Sequence, residues 1–107
     1  MPYYLIQASY KESAARALVA KPQERSAAVK KMVESLGGKL HSYFLSFGDY
    51  DVLAIAELPG NDAAVAAGLA TVGGGAVSKY HTTVLLTPAE ATAAMKKAKK
   101  VAYSPIK

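Results

Sequence analysis

The chain contains no cysteine in its 107 residues, which excludes a disulfide framework, a thiolate metal site and a cysteine nucleophile together. No stretch approaches the roughly 18 apolar residues of a membrane-spanning helix. The opening Met1-Pro2-Tyr3-Tyr4 has neither the charged region nor the long apolar run of a secretory leader. A soluble, cytoplasmic protein with no membrane partner is expected. There are only two histidines, His41 and His81, with no carboxylate pattern beside them, so no metal site is expected. Neither a Ser/His/Asp spacing nor a dinucleotide fingerprint occurs, and no cofactor is implied. Gly73-Gly74-Gly75 follows a helical pattern rather than joining a strand to a helix, so it reads as a helix stop and not as a phosphate loop.

What is present describes one folded domain over 1–107. An apolar content of 51% is too high for a disordered chain, and the length supports a single core without staples. The net charge of +5 invites a nucleic-acid reading, but the charge is localised. Basic and acidic side chains cancel through residue 94, and the excess is Lys96, Lys97, Lys99, Lys100 and Lys107. Lysines in the last turns of a helix complement its dipole, which argues against a nucleic-acid partner.

Read in order, Tyr3–Ala8 is a strand. Ser9, three residues before Glu12, has capping-box spacing and predicts a helix to about Ala20, ended by Pro22. A second helical piece over 22–36 carries the stripe Val29, Met32, Val33 and Leu36, with Gly37 as its terminator. Two β-compatible runs, 39–47 and 50–58, flank Gly48-Asp49. A small-faced, Ala-rich helix over 63–72 follows, then a strand over 76–86. Thr87-Pro88-Ala89-Glu90 opens a last helix to about residue 100. The expected fold class is α+β: a ferredoxin-like βαββαβ core over 3–86 with an antiparallel four-stranded sheet of order 4-1-3-2. A C-terminal helix over 87–100 and a tail over 101–107 follow.

The central hairpin organises this plan. A type II′ turn at Gly48-Asp49 predicts Phe47 opposite Tyr50 and the pairs Leu45–Val52, Tyr43–Ala54 and His41–Ala56. Alternation then gathers His41, Tyr43, Ala54 and Ala56 on one face. The central strands, with Tyr4-Leu5-Ile6 and Val52-Leu53-Ala54-Ile55-Ala56, are apolar at every position, as in a strand covered on both sides. Two helices cover only one side, so the expected partner is a second copy of the chain, in a homodimer or higher homo-oligomer.

If the His41 face lines a space between protomers, it forms a pocket with convergent polar groups. His41 is then a candidate general base and the weak candidate for a catalytic residue, with Tyr43 as a hydrogen-bond donor. Arg25 shares the stripe of the second helix and needs an anionic partner, a ligand or a structural carboxylate, unless it reaches water. Tyr50 and Asp51 stand at the pocket edge as ligand-binding candidates. The competing reading of Asp51 is a bond to the backbone of its own turn. His41 at the exposed end of an edge strand is the competing reading there.

Gly37-Gly38-Lys39-Leu40, Phe47-Gly48-Asp49-Tyr50-Asp51, Gly75-Ala76-Val77 and Leu85-Leu86-Thr87-Pro88-Ala89-Glu90, in that order and spacing, resemble the GYD domain family. The likeness covers Tyr3 to about Lys100, with Asp49 standing between the Gly and Tyr of the family name. It implies a dimeric α+β barrel and self-association, with no defined activity. The apex is also similar to a turn in the effector-binding domains of Lrp/AsnC-type regulators, where small amino-acid effectors bind near subunit contacts. The leading expectation is a homo-oligomeric small-molecule-binding module. The alternatives are a cofactor-independent oxygenase or isomerase, implied by the fold class alone, and a purely structural or interaction protein.

Overall fold

A computed structural model describes all 107 residues. Four strands, β1 (Tyr3–Tyr10), β2 (Lys39–Leu45), β3 (Val52–Glu57) and β4 (Val77–Leu85), form one antiparallel sheet in the order β2-β3-β1-β4. The helices are α1 (Glu12–Ala20), α2 (Ser26–Ser35), α3 (Asn61–Gly73) and α4 (Pro88–Lys99). The expected ferredoxin-like order and α+β class are therefore present. No helix is long and apolar enough to cross a membrane.

The core lies between one sheet face and α2 with α3. Tyr4, Val33, Ala56, Leu58 and Ala64 form a buried cluster, with Ile6, Val29, Leu36 and Leu40 packed around it. Tyr4 is buried to its ring, and its hydroxyl donates to Asn61 Oδ1 at 2.7 Å, which satisfies the one polar atom that the ring brings inside. Small residues on α3, Ala64 and Ala67, are buried and let the helix come close to the sheet. At the end of α2, Gly37 takes φ +83°, and the N–H groups of Gly37 and Gly38 donate to the carbonyls of Glu34 and Val33. This is the glycine-terminated stop that the sequence predicts.

Three local expectations are corrected. Ser9 does not cap α1. It is part of β1, pairs with Lys79 on β4, and donates its hydroxyl to the Asp49 carbonyl, so sheet pairing takes precedence over the capping-box spacing. Residues 22–25 are not helical, and α2 begins at Ser26, whose N–H donates to Glu24 Oε1 at 2.6 Å. The two-residue turn is also absent. Residues 46–51 make a wider loop closed by the Ser46 N–H on the Asp51 carbonyl and the Ser46 hydroxyl on the Tyr50 carbonyl. Gly48 still supplies a positive φ of 134° within it.

The register from Leu45–Val52 to Ser42–Ile55 is as expected, but it breaks at the next residue. Leu40, not His41, pairs with Ala56, and His41 is the extra residue of a β-bulge. Tyr43 therefore faces the helices while His41 turns to the other side of the sheet, towards Glu57 and Tyr3.

That second face carries Leu5, Leu53, Ile55 and Phe44, and none of them belongs to the core cluster. Helix α4 does not shelter it by burying itself there, since α4 has no buried residue. Its capping box is fully formed: Thr87 Oγ1 accepts from the Glu90 N–H, and Glu90 accepts from the Thr87 N–H.

Candidate functional site

Between the sheet and the helices, displaced from the core towards α1, lies a cavity of about 340 Å³. Its floor is the helix-facing side of β1 and β3, with Ile6, Ala8, Val52 and Ala54. Small residues at Ala8 and Ala54 leave space above the strands. Leu18 of α1 and Val29, Met32 and Val33 of α2 supply the walls. The lining is overwhelmingly apolar, and its polar groups are few: Tyr10, Gln23, Arg25, Tyr43, Thr71 and Tyr80. Thr71 already donates to the Ala67 carbonyl, so its hydroxyl is partly committed within α3.

The phenols are the distinctive part. Burial is the main cause pushing the Tyr43 hydroxyl above its ordinary value, with the neighbouring Tyr10 hydroxyl adding to it and Arg25 opposing it. Burial likewise raises Tyr80. Both rings thus hold their protons. The Tyr80 hydroxyl is buried without a hydrogen-bond partner, which ordinarily costs about 1–3 kcal/mol.

A phenol raised in the fold has a determinate effect on stability. Its contribution is complete below the unfolded phenol's pKa of about 10 and is lost as pH rises from there towards the folded value. Wild-type stability should therefore fall as pH rises above about 10 in urea titrations, and Tyr43→Phe should fall less steeply. An equal slope in both proteins would show that Tyr43 is not the buried group.

Arg25 and Tyr43 are the two sequence candidates that the fold brings together, both on the cavity. The other three lie elsewhere. His41 projects from the open sheet face, where its Nε2 pairs with Glu57 Oε2 at 2.7 Å and its ring lies 5.3 Å from that of Tyr3. The hydrogen bond from His41 is the leading cause holding the Glu57 carboxyl below its usual range. Tyr50 lies beneath the Lys79 ammonium, 4.5 Å from the ring centre, and its ring is 6.2 Å from that of His81. Asp51 accepts from the Tyr10 N–H at 2.9 Å, while its own N–H donates to the Ala8 carbonyl. Its side chain thus fastens the hairpin to the end of β1, an adjacent strand rather than its own turn.

Tyr10, Tyr80 and the α1 residues Ala14, Ala17 and Leu18 are cavity residues that sequence reasoning passed over. One signal was available for the first: Tyr4, Ile6, Ala8 and Tyr10 alternate, so extending β1 by two residues places Tyr10 on the core face. No group of three or more His, Asp or Glu side chains is placed to hold a metal.

No curated protein matches the chain. The GYD domain family model matches residues 4–95, which take in the sheet apart from Tyr3, the three helices that pack on it and most of α4. With the ferredoxin-like sheet and the motifs that punctuate it, that match makes the chain a member of the GYD domain family.

Proposed function

We propose that this GYD-domain protein is a homo-oligomeric small-molecule-binding module whose ligand occupies the cavity between the sheet and helices α1 and α2. The observation that carries this reading is the cavity itself. Its volume of about 340 Å³, its apolar lining and its small number of converging donors have the form of a ligand site. Binding is favoured over turnover by the position of the titratable groups. His41, the expected base, is on the opposite face, and the Tyr43 phenol is held in its protonated form.

The assembly part of the reading rests on the uncovered sheet face. Leu5, Leu53, Ile55 and Phe44 lie there side by side, and a second copy of the same face is self-complementary in chemistry.

The binding reading is tested with indole, a neutral apolar probe. It should shift the methyl resonances of Ile6, Val29, Val33 and Val52, and Ala14→Leu, which fills the space from α1, should abolish those shifts. Absence of cavity shifts at millimolar indole in the wild type would overturn the proposal.

A further inference from the structure

Among the residues that line the cavity, Arg25 is the only charged one. Its guanidinium has no carboxylate partner. The two ion pairs of the molecule are Arg16 with Glu12 and His41 with Glu57, and Arg25 makes only a long 3.4 Å contact from Nη1 to Gln23 Oε1. The acid next to it in the chain is committed elsewhere. Glu24 accepts from the Ser26 N–H at the start of α2, and the Ser26 side chain first, with the backbone N–H groups after it, holds its carboxyl below the usual range. Glu24 does not line the cavity.

The Arg25 guanidinium is exposed to water, beside an apolar hollow and free of any carboxylate, so it is available to an anion that enters there. Its fork of N–H donors matches a carboxylate in two parallel bonds, and such charge-assisted bonds are about twice as strong as neutral ones. Tyr43 lies close enough for the Arg25 charge to oppose the rise in its pKa, and Tyr10 lies beside Tyr43. Burial keeps the Tyr43 phenol protonated, so its hydroxyl is a hydrogen-bond donor beside Arg25. The walls beyond them offer no second cation, so one negative charge is matched and two are not.

We propose that the cavity selects small apolar monocarboxylates, with the carboxylate held by Arg25 and the Tyr10 and Tyr43 hydroxyls and the apolar body beneath α1 and α2. This rests on the cavity being a ligand site and adds the chemistry of the ligand. Arg25 is the N-cap residue of α2 and makes no side-chain capping bond, so replacing it removes charge without removing a helix contact.

The test compares 2-naphthoate with its neutral counterpart 2-naphthamide by calorimetric titration of the intact chain. The naphthoate should bind the wild type at least about tenfold more tightly, the scale of one charge-assisted bond. Arg25→Gln should reduce the naphthoate to the level of the amide and leave the amide within twofold of its wild-type affinity. Arg25→Lys should keep part of the preference, because a point charge lacks the fork. If the two probes bind equally and Arg25→Gln alters neither, the cavity stands as an apolar site and the anion preference is overturned. If neither probe binds, both readings fall.

Discussion

Gly38→Ala should lower the free energy of unfolding by about 3 kcal/mol or more, at or beyond the upper end of the usual overpacking range. The reason is the absence of room on every side. A Cβ at this position would stand 2.2 Å from the Glu57 carbonyl oxygen, 2.8 Å from Leu58 Cδ2 and 3.1 Å from Val33 Cγ1. The first contact is to backbone, and that backbone is fixed by the Lys39–Glu57 pairing at the start of β2. The other two neighbours are fully buried core side chains with nowhere to move. Relief requires β2 to separate from β3, which would also strain the bond from the Gly38 N–H to the Val33 carbonyl that ends α2. Against a typical domain stability of about 5–15 kcal/mol, the loss is a large fraction. Urea unfolding measures it, and Gly73→Ala is the control. Gly73 is the last residue of α3, has open space around its Cβ direction and does not have a positive φ, so alanine there should be neutral or stabilise by up to about 1 kcal/mol. A Gly38→Ala loss under 1 kcal/mol would show that the α2–β2 junction is looser than its geometry implies.

The same junction shows what a sequence can and cannot reveal. Gly37-Gly38 after an apolar stripe marks a helix end, because a positive φ is a local requirement that only certain residues meet cheaply. Thr87-Pro88-Ala89-Glu90 is legible for the same reason, since every partner in that cap lies within four residues. The two central strands are legible because they are apolar at every position, a composition that marks the middle of a sheet. The bulge at His41 is different. Nothing in Leu40-His41-Ser42 distinguishes a regular strand from one with an inserted residue, and the pairing of Leu40 with Ala56 depends on residues 16 positions away. One residue of slip reassigns a side chain to the opposite face, which is why His41 and Tyr43 separate. The cavity is less legible still. It arises because α1 lies over Ala8 and Ala54 without filling the volume between them, and the spacing of a helix from a sheet is a property of the assembled fold. Arg25 was legible as a cation near the second helix, but it precedes α2 and is exposed rather than part of its packing stripe, and the commitment of Glu24 to the start of α2 was not legible at all.

Ile55→Asp should convert the protein to a folded monomer. Ile55 is at the middle of β3, directly beside Leu5 of β1 and opposite Ser42 of β2, at the centre of the face that no helix of its own core covers. If two copies pack through that face, each interface contains the substitution twice, because a two-fold contact presents the same patch from both sides. Two carboxylates would then have to leave water for an apolar surface, with no cation positioned at the centre to receive them. His41, a basic group on that face, is already paired with Glu57 at 2.7 Å. Removing unpaired charges from water costs several kcal/mol each. Self-association should therefore weaken by at least about a hundredfold, since each 1.4 kcal/mol is a factor of ten. The fold should survive, because within one protomer Ile55 is only partly buried and lies outside the buried cluster of Tyr4, Val33, Ala56, Leu58 and Ala64. Light scattering at tens of micromolar protein would then give twice the monomer mass for the wild type and the monomer mass for the variant, with unchanged circular dichroism. A wild type that scatters as a monomer would overturn the proposed assembly outright. A variant that remains dimeric would place the contact elsewhere, with the exposed apolar residues Val65, Leu69, Val72 and Val84 along α3 and β4 as the next surface to substitute.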